Sequence, residues 1–180
     1  MSQYPLSAHI VQHFLLALVI PLLMLLATPR SFAEAALRRP ILRKLERIVG
    51  PPPVSWLLGV GAMLAWHIPA FFNAALANDG LHIFQQLSFL ITGTIFWWPI
   101  FGPLRDRHLP ALGAVAYMFS ACVCCSLLGA VLTFGPVLYA HDAKSDQQLA
   151  GMLMWVPGCF VYISGILSTV MRWYRAERTA

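Results

Sequence analysis

Five long apolar blocks, separated by short polar or proline-rich interruptions, set the pattern of this chain. An apolar run of about 20 residues is what a helix needs to cross a bilayer. The pattern therefore predicts an all-α integral membrane bundle of five transmembrane helices, with spans at about 6–28, 54–77, 81–101, 109–139 and 146–174. Thr28-Pro29 stops the first span and Asn78-Asp79-Gly80 the second. The polar run Arg105-Asp106-Arg107-His108 follows the third, and Gly135-Pro136 breaks the last turns of the fourth, because proline and glycine disrupt helical backbone. Between the first two spans, the partly amphipathic segment 30–50 carries Arg38, Arg39, Arg43, Lys44 and Arg47. Such a segment is expected to lie as a helix on an anionic membrane surface. Pro51-Pro52-Pro53 then restarts the chain, and with no internal repeat or separate soluble region, 1–180 reads as one transmembrane domain.

Charge gives the bundle a direction. Almost all Lys and Arg fall in segment 30–50, the 105–108 loop and the tail with Arg175 and Arg178, and the positive-inside rule assigns these to the cytoplasm. The N-terminus, the Asn78-Asp79 turn and the loop His141-Asp142-Ala143-Lys144 are then outside. Trp56, Trp97, Trp98, Trp173 and Tyr174 are expected at the inner interface as an aromatic belt. The first block has no basic residue before it, since its first is Arg30, so it is expected to persist as a helix rather than be cleaved as a signal peptide.

Composition agrees: 59% of the residues are apolar and only 11% charged, against roughly 25% charged in a soluble domain, and the mean hydropathy is +0.70. The net charge of +5 does not indicate a nucleic-acid partner, because the basic residues sit between spans and no nucleic-acid motif occurs; the expected surroundings are membrane lipid. Cys122, Cys124, Cys125 and Cys159 lie in apolar blocks without a CxxC spacing. They read as small packing residues, with soft copper ligation as the alternative.

The topology gathers scattered histidines. His9 and His13 lie in the first turns of span one, His82 opens span three, His141 is in an outer loop, and His67 lies ten residues before the outer end of span two. Only His108 falls on the cytoplasmic side. Polar residues within spans face the bundle interior, a cavity or a partner. His9 and His13, four apart and about 40° around a helix, can address one ion from one face. Imidazole suits copper, zinc and iron, and thioether selects Cu(I). In span five, Met152 and Met154 point about 160° apart; Met154 shares a face with Gln147, Ala150, Gly151 and Gly158, whose small residues let helices approach closely, so Met154 is expected inward. Ser145-Asp146-Gln147-Gln148 has a capping-box pattern, giving Asp146 a structural reading beside that of support for a histidine. Pro69, two residues after His67, is expected to kink the helix there.

At these residues the chain resembles a known family. Ser7-Ala8-His9-Ile10-Val11-Gln12-His13, Trp66-His67-Ile68-Pro69, Phe96-Trp97-Trp98-Pro99, and Asp146-Gln147 through Met154-Trp155-Val156-Pro157-Gly158 are similar to the CtaG family of multi-pass membrane cytochrome c oxidase assembly factors. The resemblance covers 6–158 and implies a non-enzymatic role in the bacterial inner membrane: assembling a haem–copper oxidase at its copper centre, with an oxidase subunit as recipient. It carries over His9, His13, His67, His82, Asp146, Gln147, Met154 and Trp155. Where the family often has a second histidine four residues after the position of His82, this chain has Gln86 after Gln85; an amide is a poor copper ligand, so Gln86 supports rather than ligates. The chain also looks short beside family members with further spans.

Two other functions compete. A haem-binding membrane electron carrier would use histidines on facing helices as axial ligands, although His9 and His13 share one helix face. A metal-free assembly scaffold would use its polar residues only for packing. A transporter lacks visible repeats, and no nucleophile, base or phosphate-binding loop indicates an enzyme. The sequence is compatible with a homo-oligomer. The copper reading predicts a preparation without a Soret band, checked by the visible spectrum of the purified protein; a Soret band would move the case to haem.

Overall fold

A computed structural model describes residues 5–139 and 144–178. Among them are eight helices and no strand: α1 (Leu6–Ala27), α2 (Arg30–Leu37), α3 (Pro40–Val49), α4 (Pro52–Trp66), α5 (Pro69–Ala77), α6 (Asp79–Phe101), α7 (Ala111–Phe134) and α8 (Lys144–Arg178). Pro40, Pro52 and Pro69 stand in first helical turns, where the missing amide hydrogen costs nothing. The residues before Pro40 and Pro69, Arg39 and Ile68, are extended, as a following proline demands.

Three of these helices are long and apolar enough to cross a membrane: α1, α7 and α8. A fourth appears if α3 and α4, bent by 79° at Gly50-Pro51, form one broken span. Length and apolarity alone thus give three or four candidate spans rather than the expected five. The expected span 54–77 is divided at His67-Ile68 into α4 and α5, and α6, at 23 residues, has its apolar length diluted by His82, Gln85 and Gln86. The expected surface helix 30–50 is likewise two helices, because Pro40 ends the first. The outward faces are apolar nonetheless: Leu23, Leu26, Phe119, Phe134, Phe160 and Leu167 are all exposed, a surface that requires lipid.

Helix α1 is seated by three contacts. Its first turn, which would otherwise leave amides without acceptors, donates from the Leu6 N–H (2.6 Å) and the Ser7 N–H (3.4 Å) to the Asp146 carboxylate on α8. Asp146 therefore caps a neighbouring helix rather than its own. Further along, Leu15–Val19 forms one wider, π-type turn, just before Pro21. Proline has no hydrogen to offer the Ala17 carbonyl, and Gly93 of α6 lies against that oxygen so closely that a Cβ at position 93 would collide with it. The Leu18 carbonyl accepts from the Trp97 indole at 3.1 Å. Trp97 is completely buried, so it belongs to the core and not to the expected aromatic belt; Trp173 and Tyr174 are exposed, as a belt requires.

Helices α7 and α8 form the most closely packed pair. A Cβ at Gly129 would stand 2.6 Å from that of Trp155, and Gly151 abuts Thr133, the close approach small residues permit. The face of α8 formed by Gln147, Ala150, Gly151, Met154 and Gly158 is buried throughout. At the opposite end from Asp146, the 105–107 turn meets α2 and α3 through ion pairs Arg30–Asp106 (3.5 Å) and Arg107–Glu46. His108 is half-buried there and donates from Nε2 to the Gly102 carbonyl at 2.7 Å, a cap for α6 rather than a solvated loop residue.

Replacing Asp146 with Ala removes the cap on α1 and is expected to cost about 0.5–2 kcal/mol. A lowered unfolding midpoint in detergent, relative to Lys144→Ala, checks this; equal midpoints would contradict it.

Candidate metal centre

One turn apart on α1, His9 and His13 are both buried. His67 ends α4, where the break before Pro69 turns the chain, and is also buried. His82 lies in the opening turns of α6 and is half-buried. The four rings form a row: His82 to His9 is 5.0 Å between centroids, His9 to His13 is 4.1 Å, and His13 to His67 is 5.8 Å. Phe72 of α5 and Phe89 of α6 wall the row on its apolar side.

The hydrogen bonding of His67 fixes its tautomer. Nδ1 lies 2.7 Å from the Met63 carbonyl; a carbonyl only accepts, so Nδ1 carries the hydrogen and Nε2 keeps a bare lone pair. Among the described residues, that Nε2 is buried without a partner, as are His9 Nε2, both nitrogens of His13 and both amide atoms of Gln85. Gln85 comes near His13 without completing a hydrogen bond. Leaving a buried polar group unsatisfied costs about 1–3 kcal/mol, so the cluster is a stability liability. The break that frees the His67 carbonyl is covered by Tyr139, whose hydroxyl donates to it at 3.0 Å.

Against these rings lies a cavity of about 40 Å³ whose lining includes His13, Met63, His67, Cys125, Met154 and Tyr162. It has room for an ion or a water. Two bare imidazole nitrogens and a thioether form a soft, low-coordinate donor set that suits Cu(I). Among the described residues, no three His, Cys, Asp or Glu side chains converge to hold a metal.

His9, His13, His67 and His82 are thus brought into one row, and Met154 lines the same cavity as His13 and His67. Met152 is exposed, as the helical spacing requires. The supporting residues divide. Gln86 places its amide nitrogen 3.0 Å from His82 Nε2, occupying that ring nitrogen. Gln147, fully buried, accepts from the Leu138 N–H (2.8 Å) and donates to the carbonyls of Leu132 (3.1 Å) and Pro136 (2.9 Å), closing the end of α7 onto α8. Among the described residues, Asp146 bonds α1 and no histidine. Trp155 packs on Gly129, with its indole N–H unpartnered. His141 lies outside the described residues. Sequence reasoning gave no role at the site to Gln85 or Tyr139, and offered Cys125 as a soft ligand only as the alternative to packing. Gln85 was within reach, since it stands three residues after His82 on the face that continues to Phe89.

Replacing His13 with Leu removes two unsatisfied ring nitrogens and is expected to raise the unfolding midpoint in detergent, by about 1–3 kcal/mol of stability. A lowered midpoint would mean that His13 has a partner in the folded protein.

Residues 1–176 match the family model described as cytochrome c oxidase caa3 assembly factor (Caa3_CtaG). An uncharacterized protein of Mycobacterium leprae (strain TN) is 24% identical over 199 residues, covering 95% of this chain and 30% of the relative. One of Mycobacterium bovis is 24% identical over 200 residues, with coverages of 96% and 30%. The chain spans 30% of the length of these curated relatives. No solved structure matches it.

Proposed function

We propose, for a chain that belongs to the cytochrome c oxidase caa3 assembly factor family, that it binds Cu(I) as cargo between His13 and His67 and passes it to a subunit of a haem–copper oxidase. The observation that carries this reading is the pair of buried imidazoles on different helices, with unpartnered nitrogens and Met154 around one small cavity. Unsatisfied nitrogens are costly to keep, and a soft cation offsets that cost. The donor set is small and lacks a third convergent histidine, and an ion held by few ligands exchanges readily, as transfer demands. His82 and His9, at the more exposed end of the row, form the entry. A cavity of about 40 Å³ has no room for a porphyrin, which favours an ion over haem. The role is that of a carrier rather than a catalyst.

The same reading places the protein in the bacterial inner membrane as a multi-pass bundle of five spans, with α4 and α5 together forming the second and α6 the third. Segregation of the helix ends supports it. The start of α1 meets the start of α8 at Asp146 and the start of α6 at His82, whereas the basic elements meet at the other end through Arg30–Asp106 and Arg107–Glu46. Positive residues then face the cytoplasm and the histidine row opens outward.

Two measurements test this. After anaerobic loading with Cu(I), metal analysis by mass spectrometry is expected to show His13→Ala/His67→Ala holding one copper fewer per chain than the wild type. Equal uptake would overturn the histidine site. Epitope tags placed before Met1 and after Ala180 are expected on opposite sides of the membrane, with only the first open to protease in spheroplasts; tags on the same side would overturn five spans.

A further inference from the structure

The packing of α7 on α8 brings together three sulfurs that the histidine site does not require. Cys122 Sγ of α7 lies 3.5 Å from Cys159 Sγ of α8, and Ser126 Oγ lies 3.3 Å from the same Cys159 sulfur. One turn along α7 from Cys122, Cys125 is buried, approaches the Met154 carbonyl at 3.9 Å and lines the histidine cavity. Cys122 and Cys159 are themselves only half-buried. The sulfurs therefore run from the cavity in the core to the periphery of the helix pair. As thiols, Cys122 and Cys159 gain at most a weak S–H hydrogen bond from this proximity. As thiolates, they are soft donors set side by side on two helices held rigidly by their glycine contacts.

We propose that Cys122 and Cys159 form a second, two-thiolate Cu(I) site, reached from the histidine cavity past Met154 and Cys125. The site rests on the copper reading of that cavity. In the transfer, Cu(I) leaves its imidazole and thioether donors and forms two Cu–S bonds. Both thiols release their protons, which pass to bulk water; the metal remains Cu(I), and the neutral dithiol becomes a complex of charge −1. Only the thiolate is a metal ligand, so two protons leave per ion bound. The Ser126 hydroxyl donates to the Cys159 sulfur and stabilises the added charge. The arrangement moves the ion from the interior of the bundle to its rim, whereas the cysteines of a purely packed helix pair would do nothing to copper.

The test is alkylation of the full chain in mild detergent, prepared reduced and without oxygen, with and without added Cu(I), read cysteine by cysteine by mass spectrometry. Cu(I) is expected to protect Cys122 and Cys159 from iodoacetamide while Cys124 stays reactive. Cys122→Ser/Cys159→Ser is expected to bind one Cu(I) fewer than the wild type at an unchanged unfolding midpoint, and Cys124→Ser to bind as much as the wild type. His13→Ala/His67→Ala, loaded directly with Cu(I), still protects the two thiols, so failure of the histidine site and failure of the thiol site give different results. Equal alkylation of Cys122 and Cys159 with and without Cu(I) would overturn the proposal, as would their isolation as a disulfide under reducing conditions.

Discussion

The grip of the Asp146 carboxylate on the first turn of α1 sets the position of everything at the histidine cavity. Sliding a helix by one residue moves it about 1.5 Å and turns its side chains by about 100°, which would carry His9 and His13 out of the row. Asp146 fixes the start of the helix. The Trp97 indole on the Leu18 carbonyl and the seat of Ala17 on Gly93 fix it further along. The wider turn at Leu15–Val19 lies between these anchors and absorbs the disturbance made by Pro21. His13, two residues before that turn, is held at a defined depth with no side-chain hydrogen bond of its own among the described residues.

A bilayer offers no water to unsatisfied polar groups, and elsewhere, the Trp155 indole apart, the buried side-chain polar atoms of the described residues have partners. Trp66 donates to Ser88, Trp56 to Ser120, Tyr117 to the Phe96 carbonyl and Tyr139 to the His67 carbonyl. Of the seven buried side-chain atoms without a partner among the described residues, six belong to His9, His13, His67 and Gln85. Unsatisfied polarity is therefore concentrated at one place, beside a cavity, rather than scattered as packing faults would be. That concentration is the ground for proposing a cation site here rather than a set of histidines that merely fill space.

Much of this was legible in the sequence, for local reasons. Helical spacing alone turns Met154 inward and Met152 outward, Pro69 marks the break at His67, and the charge distribution assigns His9 and His82 to the same end of the bundle. What was not legible depends on contacts between distant segments. Ser145-Asp146-Gln147-Gln148 looks like a cap for its own helix, and nothing local shows that Asp146 serves α1. Trp97 sits in a block where tryptophan suggests a membrane interface, yet the face it occupies is decided by Leu18, 79 residues away. The poor ligation of Gln86 could be anticipated, and its engagement of His82, one turn away on the same helix, lay within reach of the i,i+4 spacing. The pairing of Cys122 with Cys159 depends wholly on the register of α7 against α8.

The central claim is that His13 and His67 share a copper ion. A crystal of the protein loaded with Cu(I), measured at the copper absorption edge, tests it most directly. An anomalous peak is expected in the cavity between the two imidazoles, on the side of His67 Nε2 and close to Met154. A loaded crystal with no copper peak in that cavity would contradict it.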